Sequence, residues 1–428
     1  MPVGPHGHLS GKPVREPMVV MRARVLALAL VALFAGACAG LQRASTAPRA
    51  TEQTVVLISL DGFRRDYLER HSPPTLLALA EEGVIADAMI PSFPTLTFPN
   101  HYTIVTGLRP EHHGIVHNNM YDQVFEAAFS LGNEGPREDR WWGGEPIWST
   151  AEKQGVTSAS FFWPGSEAEI GGARPSRWLR YEEAIPYATR VDSVLAWLSL
   201  PRGERPRLIT LYFDEPDHTG HQAGPMSSEV LGAVLKGDSA LARLVAGLRA
   251  RGLYDSVNLI VVSDHGMTEV APERHVFVSD VLDTAAVRVV AGGAVFMGWS
   301  RTGDNAGLVA ALRRLPHVSA WLKEDVPTRL HFNDHRRITP VIAVADDGWV
   351  IAGNRSWRVS GGGRHGYDNA LPSMRTIFIA RGPAFRRGAR IPEFSNVDVY
   401  ALLARVLDLT PAPNDGSLAI IGAALRER

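Results

Sequence analysis

Three apolar runs that each lead into an aspartate constrain this chain more than any other feature. They read "TVVLISLDGF" (54–63), "RLITLYFDE" (207–215) and "VNLIVVSDHG" (257–266). None alternates polar with apolar residues, so none suits a sheet with one wet face. Each reads as a strand covered on both sides, as the strands of a parallel sheet are. "TSASFFW" (157–163) and "MRTIFIARG" (374–382) are further strand candidates. Helical patterns lie between them. "SPPTLLALAEEG" opens on a helix start and closes on a glycine stop, and longer stretches fill 184–199 and 227–251. Strands alternating with helices predict an α/β fold with a mainly parallel central sheet flanked by helices.

Between about 275 and 360 the texture changes. Short strand-like runs ("RVVAGGAVFMGW", "WVIAG") accompany one good helix at 305–314, which predicts a smaller α+β insertion inside a domain spanning 54–428. With 45% hydrophobic residues, the 428-residue chain has ample material for such a core. Its formal net charge of −1 lacks the basic excess of a nucleic-acid binder, so no nucleic-acid polymer is expected as a partner.

The N-terminus follows another plan. "MRARVLALALVALFAGACAG" (21–40) has two arginines, an apolar run and small residues, in the order of a secretory signal. The run from Val25 to Phe34 is short for a bilayer span, and Met18 or Met21 suits the translation start. Cys38, the only cysteine, follows Ala35-Gly36-Ala37 and resembles the lipidation box of bacterial lipoproteins. It departs from that box at Ala35, where a larger aliphatic residue is usual, and an ordinary cleavage site with an incidental cysteine is the other reading. The expectation is a leader over 1–38, a polar tether over 39–53, and export to the periplasm or a lipid-anchored place on the cell envelope. A lone cysteine rules out an internal disulfide.

Ligands of open α/β sheets gather beyond the carboxyl ends of the strands. Asp61, the acidic stretch from Asp214 to Asp217, and Asp264 are therefore expected to meet in one cleft. "DEPDHTGH" (214–221) sets Asp217 and His221 at i, i+4, on one face of a helical turn, with His218 off that face. "SDHGM" (263–267) supplies Asp264 and His265, and "GGGRHGYDN" (361–369) puts His365 on a glycine-rich loop. Asp-x-x-x-His alone is more often a surface pair. The convergence of carboxylates and imidazoles at strand ends is what suggests a metal, and a set of this hardness suits zinc. The other histidines, His101, His112, His113 and His275 among them, read as structural or solvated.

Asp61-Gly62, "PTLTFPNHYTIVTG", "DEPDHTGH", "SDHGM" and "GRHGY" together resemble the ordered motifs of the nucleotide pyrophosphatase/phosphodiesterases of the alkaline phosphatase superfamily, over about residues 54 to 410. The resemblance implies two zinc ions per chain. Asp217, His221 and His365 would hold one; Asp61, Asp264, His265 and Thr97 would hold the other. It also implies that Asn118 in "GIVHNNMYD" donates to the phosphoryl oxygens, with Asn119 as the fallback and the backbone N–H near Phe98 as a helper.

Thr97 stands in "PSFPTLTFPNHYTIVTG" (91–107), stiffened by three prolines and placed where a helical pattern begins. By itself such a threonine reads as a helix cap. Beside a metal whose charge lowers the pKa of a hydroxyl it reads as a nucleophile, favoured further by the positive end of the helix dipole. The expected reaction is two-metal, in-line phosphoryl transfer through a phosphothreonine intermediate. A neutral asparagine, with no arginine required by the motifs, favours diesters over monoesters; Arg364 beside His365 is the nearest cation in sequence. Phe98 and Tyr181 are the candidate rings for sandwiching a nucleobase, which points to nucleotide substrates yielding nucleoside 5′-monophosphates. Choline-bearing phospholipid headgroups are the competing substrates. A non-catalytic zinc module and a phosphomutase are more distant readings, and the sequence leaves the oligomeric state open.

Overall fold

Eight strands form the main sheet of the computed structural model, which describes residues 52–356 and 361–427. The expected leader, Cys38 and the tether as far as Thr51 lie outside those residues. In chain order the strands are β1 (Thr54–Leu60), β2 (Val84–Ala86), β3 (Ser158–Phe161), β4 (Arg177–Leu179), β5 (Leu208–Phe213), β6 (Val257–Val262), β7 (Phe378–Arg381) and β8 (Ala389–Ile391). Across the sheet they stand in the order β8-β2-β7-β6-β1-β5-β3-β4. Only β7 opposes its neighbours; every other pair in this sheet is parallel.

The helices that matter below are α1 (Pro74–Glu82), α2 (Thr97–Thr106), α3 (Tyr187–Leu198), α4 (Asp217–Ala223), α5 (Ser228–Ala250) and α6 (Asp398–Leu407). They explain why β1 is apolar throughout. Its side chains alternate between faces, and both faces are covered. Val55 and Leu57 join a core with Ile104 of α2 and Leu402 of α6, whereas Val56, Ile58 and Leu60 join one with Val191 of α3 and Leu244 of α5. Fully burying each such side chain contributes about 1.5–3 kcal/mol.

α5 opens on Ser227, whose hydroxyl accepts the Val230 N–H. It buries Val230, Val234, Leu241, Leu244 and Leu248, a helical stripe. The same face carries buried Asp238, whose carboxylate accepts the N–H groups of Thr75 (3.1 Å) and Leu76 (2.8 Å). α1 starts after Pro73 and has no side-chain cap of its own, so Asp238 caps it from a distance.

The region from 275 onward contains a four-stranded antiparallel sheet, ordered Val287–Ala291, Val295–Ser300, Val341–Ala345, Val318–Leu322. Helix Asn305–Leu312 packs on it through Leu308 and Leu312, against Phe296 and Ala343. Buried Arg337, from the segment between these strands, ties the sheet to the main fold. It donates to the Asp122 carboxylate (2.6 Å) and to the carbonyls of Gly114 (2.8 Å) and Trp141 (2.5 Å).

β6, β1 and β5 are adjacent and parallel, with Leu60 beside Phe213 and Ser59 beside Val262. Whatever follows these three strands must emerge on one edge of the sheet. No helix among the described residues is long and apolar enough to cross a membrane.

Candidate active site and metal centre

Asp61 follows β1 at once, and its N–H donates to the Phe213 carbonyl (3.0 Å). The chain then turns at Gly62, whose φ of +68° suits glycine. A Cβ there would come within 2.8 Å of the Asp217 Cβ, so a side chain at 62 would push the two carboxylates apart. Gly62 N–H donates to Asp264 Oδ1 (3.1 Å), and Asp217 N–H donates to the Asp61 carbonyl (3.0 Å). The three strand ends are thereby stitched together through Asp61, Gly62, Asp217 and Asp264 themselves. β6 stops at Val262, and Asp264 and His265 follow on a turn held by Gly266, where a Cβ would meet the Ser373 carbonyl at 2.0 Å.

Two groups of donor atoms form at this edge. In one, His221 Nε2 and His365 Nε2 are 3.1 Å apart, and Asp217 oxygens lie 3.4 Å from the first and 3.6 Å from the second. In the other, His265 Nε2 lies 3.1 Å from Thr97 Oγ, 3.0 Å from Asp264 Oδ2 and 3.5 Å from Asp61 Oδ1. Donors bound to one zinc at about 2.0–2.1 Å and tetrahedral angles stand about 3.3 Å apart. Both groups match that spacing.

The hydrogen bonds agree. The Nδ1 of His221, His265 and His365 lies 2.8–2.9 Å from the carbonyls of Gly363, Gly266 and Thr95 respectively. A carbonyl only accepts, so each Nδ1 carries the proton and each Nε2 presents a lone pair, the arrangement of metal-binding imidazoles. Asp61 Oδ1, Asp217 Oδ1 and Asp264 Oδ2 are buried without a hydrogen-bond partner. Unsatisfied carboxylate oxygens and facing lone pairs are costly in a buried site unless a cation joins them. The donor set fits a metal.

Proximity alone draws the groups differently, placing His265 with Asp217 and His365, and His101 with Asp61 and Asp264. The hydrogen bonds of His101 argue otherwise. His101 Nδ1 donates to the Thr97 carbonyl (2.9 Å), and Nε2 accepts the Ser59 hydroxyl (2.8 Å), so neither nitrogen is free.

The electrostatics are those of packed like charges. Burial raises the Asp61 carboxyl well above the carboxylate range, and the Asp264 and Asp217 charges raise it further. Burial also raises Asp217. Asp264 is pushed up by burial too, but His265 and His101 outweigh this and hold it well below the usual range. Burial, followed by the neighbouring His265 and His221, drives His365 well below an ordinary imidazole.

Thr97 is the first residue of α2. Phe98, next to it, packs on Phe129 and Trp142 with ring centroids 5.8 and 6.0 Å away. Its N–H donates to Asn118 Oδ1 (2.9 Å). This N–H, expected to help hold phosphoryl oxygens, has an acceptor within the protein. The bond also brings Asn118 to Thr97, whereas Asn119 is exposed and begins a strand. Tyr181 is partly exposed and packs on Phe162 (5.2 Å) and Tyr212 (6.1 Å). The Tyr212 hydroxyl donates to Asp61 Oδ2 (2.7 Å), so Tyr181 stands one ring away from the Asp61 carboxylate.

The type I phosphodiesterase/nucleotide pyrophosphatase family model matches residues 55–368. The chain belongs to that family. It is 41% identical over 386 residues to a venom phosphodiesterase of Crotalus durissus collilineatus, covering 87% of this chain and 47% of the relative. To human ectonucleotide pyrophosphatase/phosphodiesterase family member 1 it is 41% identical over 375 residues, covering 85% and 40%. The chain spans about half the length of the curated relatives it matches. Among solved structures, an inactive threonine-to-alanine form of murine ectonucleotide pyrophosphatase/phosphodiesterase 5, in complex with AMP, superposes with a TM-score of 0.84 at 35% identity. That match covers 88% of this chain and all of the other.

Within this member of the family, Asp214 does not join the other carboxylates as the sequence suggested. Buried Arg190 of α3 takes it (2.9 Å) and also donates to the carbonyls of Tyr212, Ile185 and Glu183. Arg364 donates to the Gly363 carbonyl (2.5 Å) and lies beside His221, so it packs behind the site. His218 is exposed and meets Gln222, off the ligand face as read. No sequence motif singles out Tyr212, Arg190 or Thr95, and His101 reads from sequence as structural. His101 sits one helical turn after Thr97, a spacing that places both on one face and that was available as a signal.

Proposed function

We propose that this chain is a two-zinc phosphodiesterase and nucleotide pyrophosphatase, cleaving nucleotide diester or pyrophosphate bonds to nucleoside 5′-monophosphates with Thr97 as nucleophile. The carrying observation is the Thr97 hydroxyl at the start of α2, 3.1 Å from His265 Nε2, which itself lies 3.0 Å from the unpartnered Asp264 Oδ2. The murine relative, inactive as a threonine-to-alanine form and in complex with AMP, supports both the threonine and the nucleotide.

Asp217, His221 and His365 would hold one zinc, and Asp61, Asp264, His265 and Thr97 the other. Bound zinc supplies Lewis-acid charge to reacting oxygens and lowers the pKa of a hydroxyl beside it. Thr97 Oγ attacks phosphorus as the bond to the leaving oxygen breaks, and the nucleoside phosphoryl group is held on Thr97. Water then cleaves that ester, releasing the 5′-monophosphate and restoring the hydroxyl. Asn118 is oriented by the Phe98 N–H on its Oδ1, which leaves Nδ2 to donate to a phosphoryl oxygen. The neutral amide suits a diester, which carries one negative charge fewer than a monoester. Phe98 and Tyr181 would stack on the base, each such contact contributing about 1–3 kcal/mol. The names of the venom and ecto-enzyme relatives support export; the leader over 1–38 would be its signal, followed either by free secretion or by attachment through a lipidated Cys38.

The test is a paired rate on an aryl nucleoside-5′-phosphate diester and an aryl phosphate monoester, with and without a zinc chelator. The expected result is a large preference for the diester that the chelator removes. A preference for the monoester contradicts the proposal.

A further inference from the structure

We infer that Tyr212, at the end of β5, is a positioning residue that decides which oxygen of Asp61 faces the metal. The inference rests on the metal reading above and deepens it.

Asp61 is 1% exposed, and its two oxygens have opposite surroundings. Oδ2 accepts the Tyr212 hydroxyl at 2.7 Å, whereas Oδ1 has no hydrogen-bond partner and lies 3.5 Å from His265 Nε2. A carboxylate bound through one oxygen needs its other oxygen satisfied, or rotation about the Cβ–Cγ bond exchanges the two. A phenol suits this task because it donates one proton and carries no charge of its own. Asp264 is served differently: its Oδ1 takes the Gly62 N–H (3.1 Å), a backbone donor that no side-chain change removes. Asp61 instead depends on one hydroxyl, and that hydroxyl is fixed by packing. The Tyr212 ring lies edge-on to His101 (5.2 Å) and Tyr181 (6.1 Å), inside a buried strand.

The role of Tyr212 therefore lies in its oxygen, and Tyr212→Phe removes that oxygen while keeping the ring. Outer hydrogen bonds of this kind typically change metal affinity ten- to a hundredfold. The experiment measures zinc affinity of the chelator-stripped chain by competition with a chromophoric chelator, for wild type, Tyr212→Phe, Asp61→Asn and the double variant. Tyr212→Phe is expected to weaken one of two sites about tenfold to a hundredfold and leave the other unchanged. It should add nothing once Asp61 is already Asn. Unchanged zinc affinity in Tyr212→Phe, while Asp61→Asn loses a site, overturns the role of Tyr212 and leaves the metal reading standing. Weakening of both sites together, or an additive loss in the double variant, also overturns it, since that is the signature of general packing. A wild type that takes up no zinc overturns both.

Discussion

The Nε2 atoms of His221 and His365 face each other across 3.1 Å, each ring having spent its Nδ1 proton on a backbone carbonyl. Two lone pairs at that distance repel unless a cation lies between them. Asp217 completes the group, so His365→Ala or Asp217→Ala should lower bound zinc from two ions per chain toward one. If both variants keep two by elemental analysis, the ligand grouping is wrong.

Stripping the metal should also soften the fold locally. Asp61 Oδ1, Asp217 Oδ1 and Asp264 Oδ2 then remain buried without partners, and binding free energy at such a site is folding free energy. Thermal melting with and without chelator checks this. Equal midpoints contradict it.

Phe98 lies beside the proposed nucleophile, on a platform of Phe129 and Trp142. Phe98→Ala should raise KM for nucleotide diesters by the loss of about 1–3 kcal/mol of stacking, and less for a small aryl diester. Equal effects on the two substrates would remove the base-stacking role.

Asp122 supplies a pH signature. Burial works against its charge, but hydrogen bonds from Arg336 and Arg337 overcome this and hold its pKa at about 2 against an ordinary 3.8. A depressed carboxylate stabilises the fold above its unfolded pKa, and that stability is lost as pH falls through the folded value. The loss should therefore develop between about pH 4 and pH 2, with a magnitude on the order of 2 kcal/mol. In urea melts, the destabilisation of Asp122→Asn relative to wild type should shrink across that window. A difference that does not change with pH contradicts the assignment.

What the sequence disclosed follows from where information is local. β1, β5 and β6 are legible because a strand covered on both faces must be apolar throughout, and the carboxylates Asp61, Asp217 and Asp264 because each comes within a few residues of the end of such a strand. The direction of β7 is not legible, since a doubly covered strand has the same composition read either way. Nor is the fate of Asp214, which depends on α3 bringing Arg190 against β5. Tyr212 and Asp238 escaped for the same reason. Each acts on a residue more than 150 positions away in sequence, and only the assembled sheet reveals the pair.

The central claim is that the Thr97 oxygen makes the bond to phosphorus. The most direct test is turnover of an aryl nucleoside-5′-phosphate diester by zinc-loaded Thr97→Ala. The account predicts a folded protein whose rate falls by roughly three orders of magnitude or more, as when a nucleophile is removed. A zinc-loaded Thr97→Ala that keeps a substantial share of wild-type turnover would contradict it.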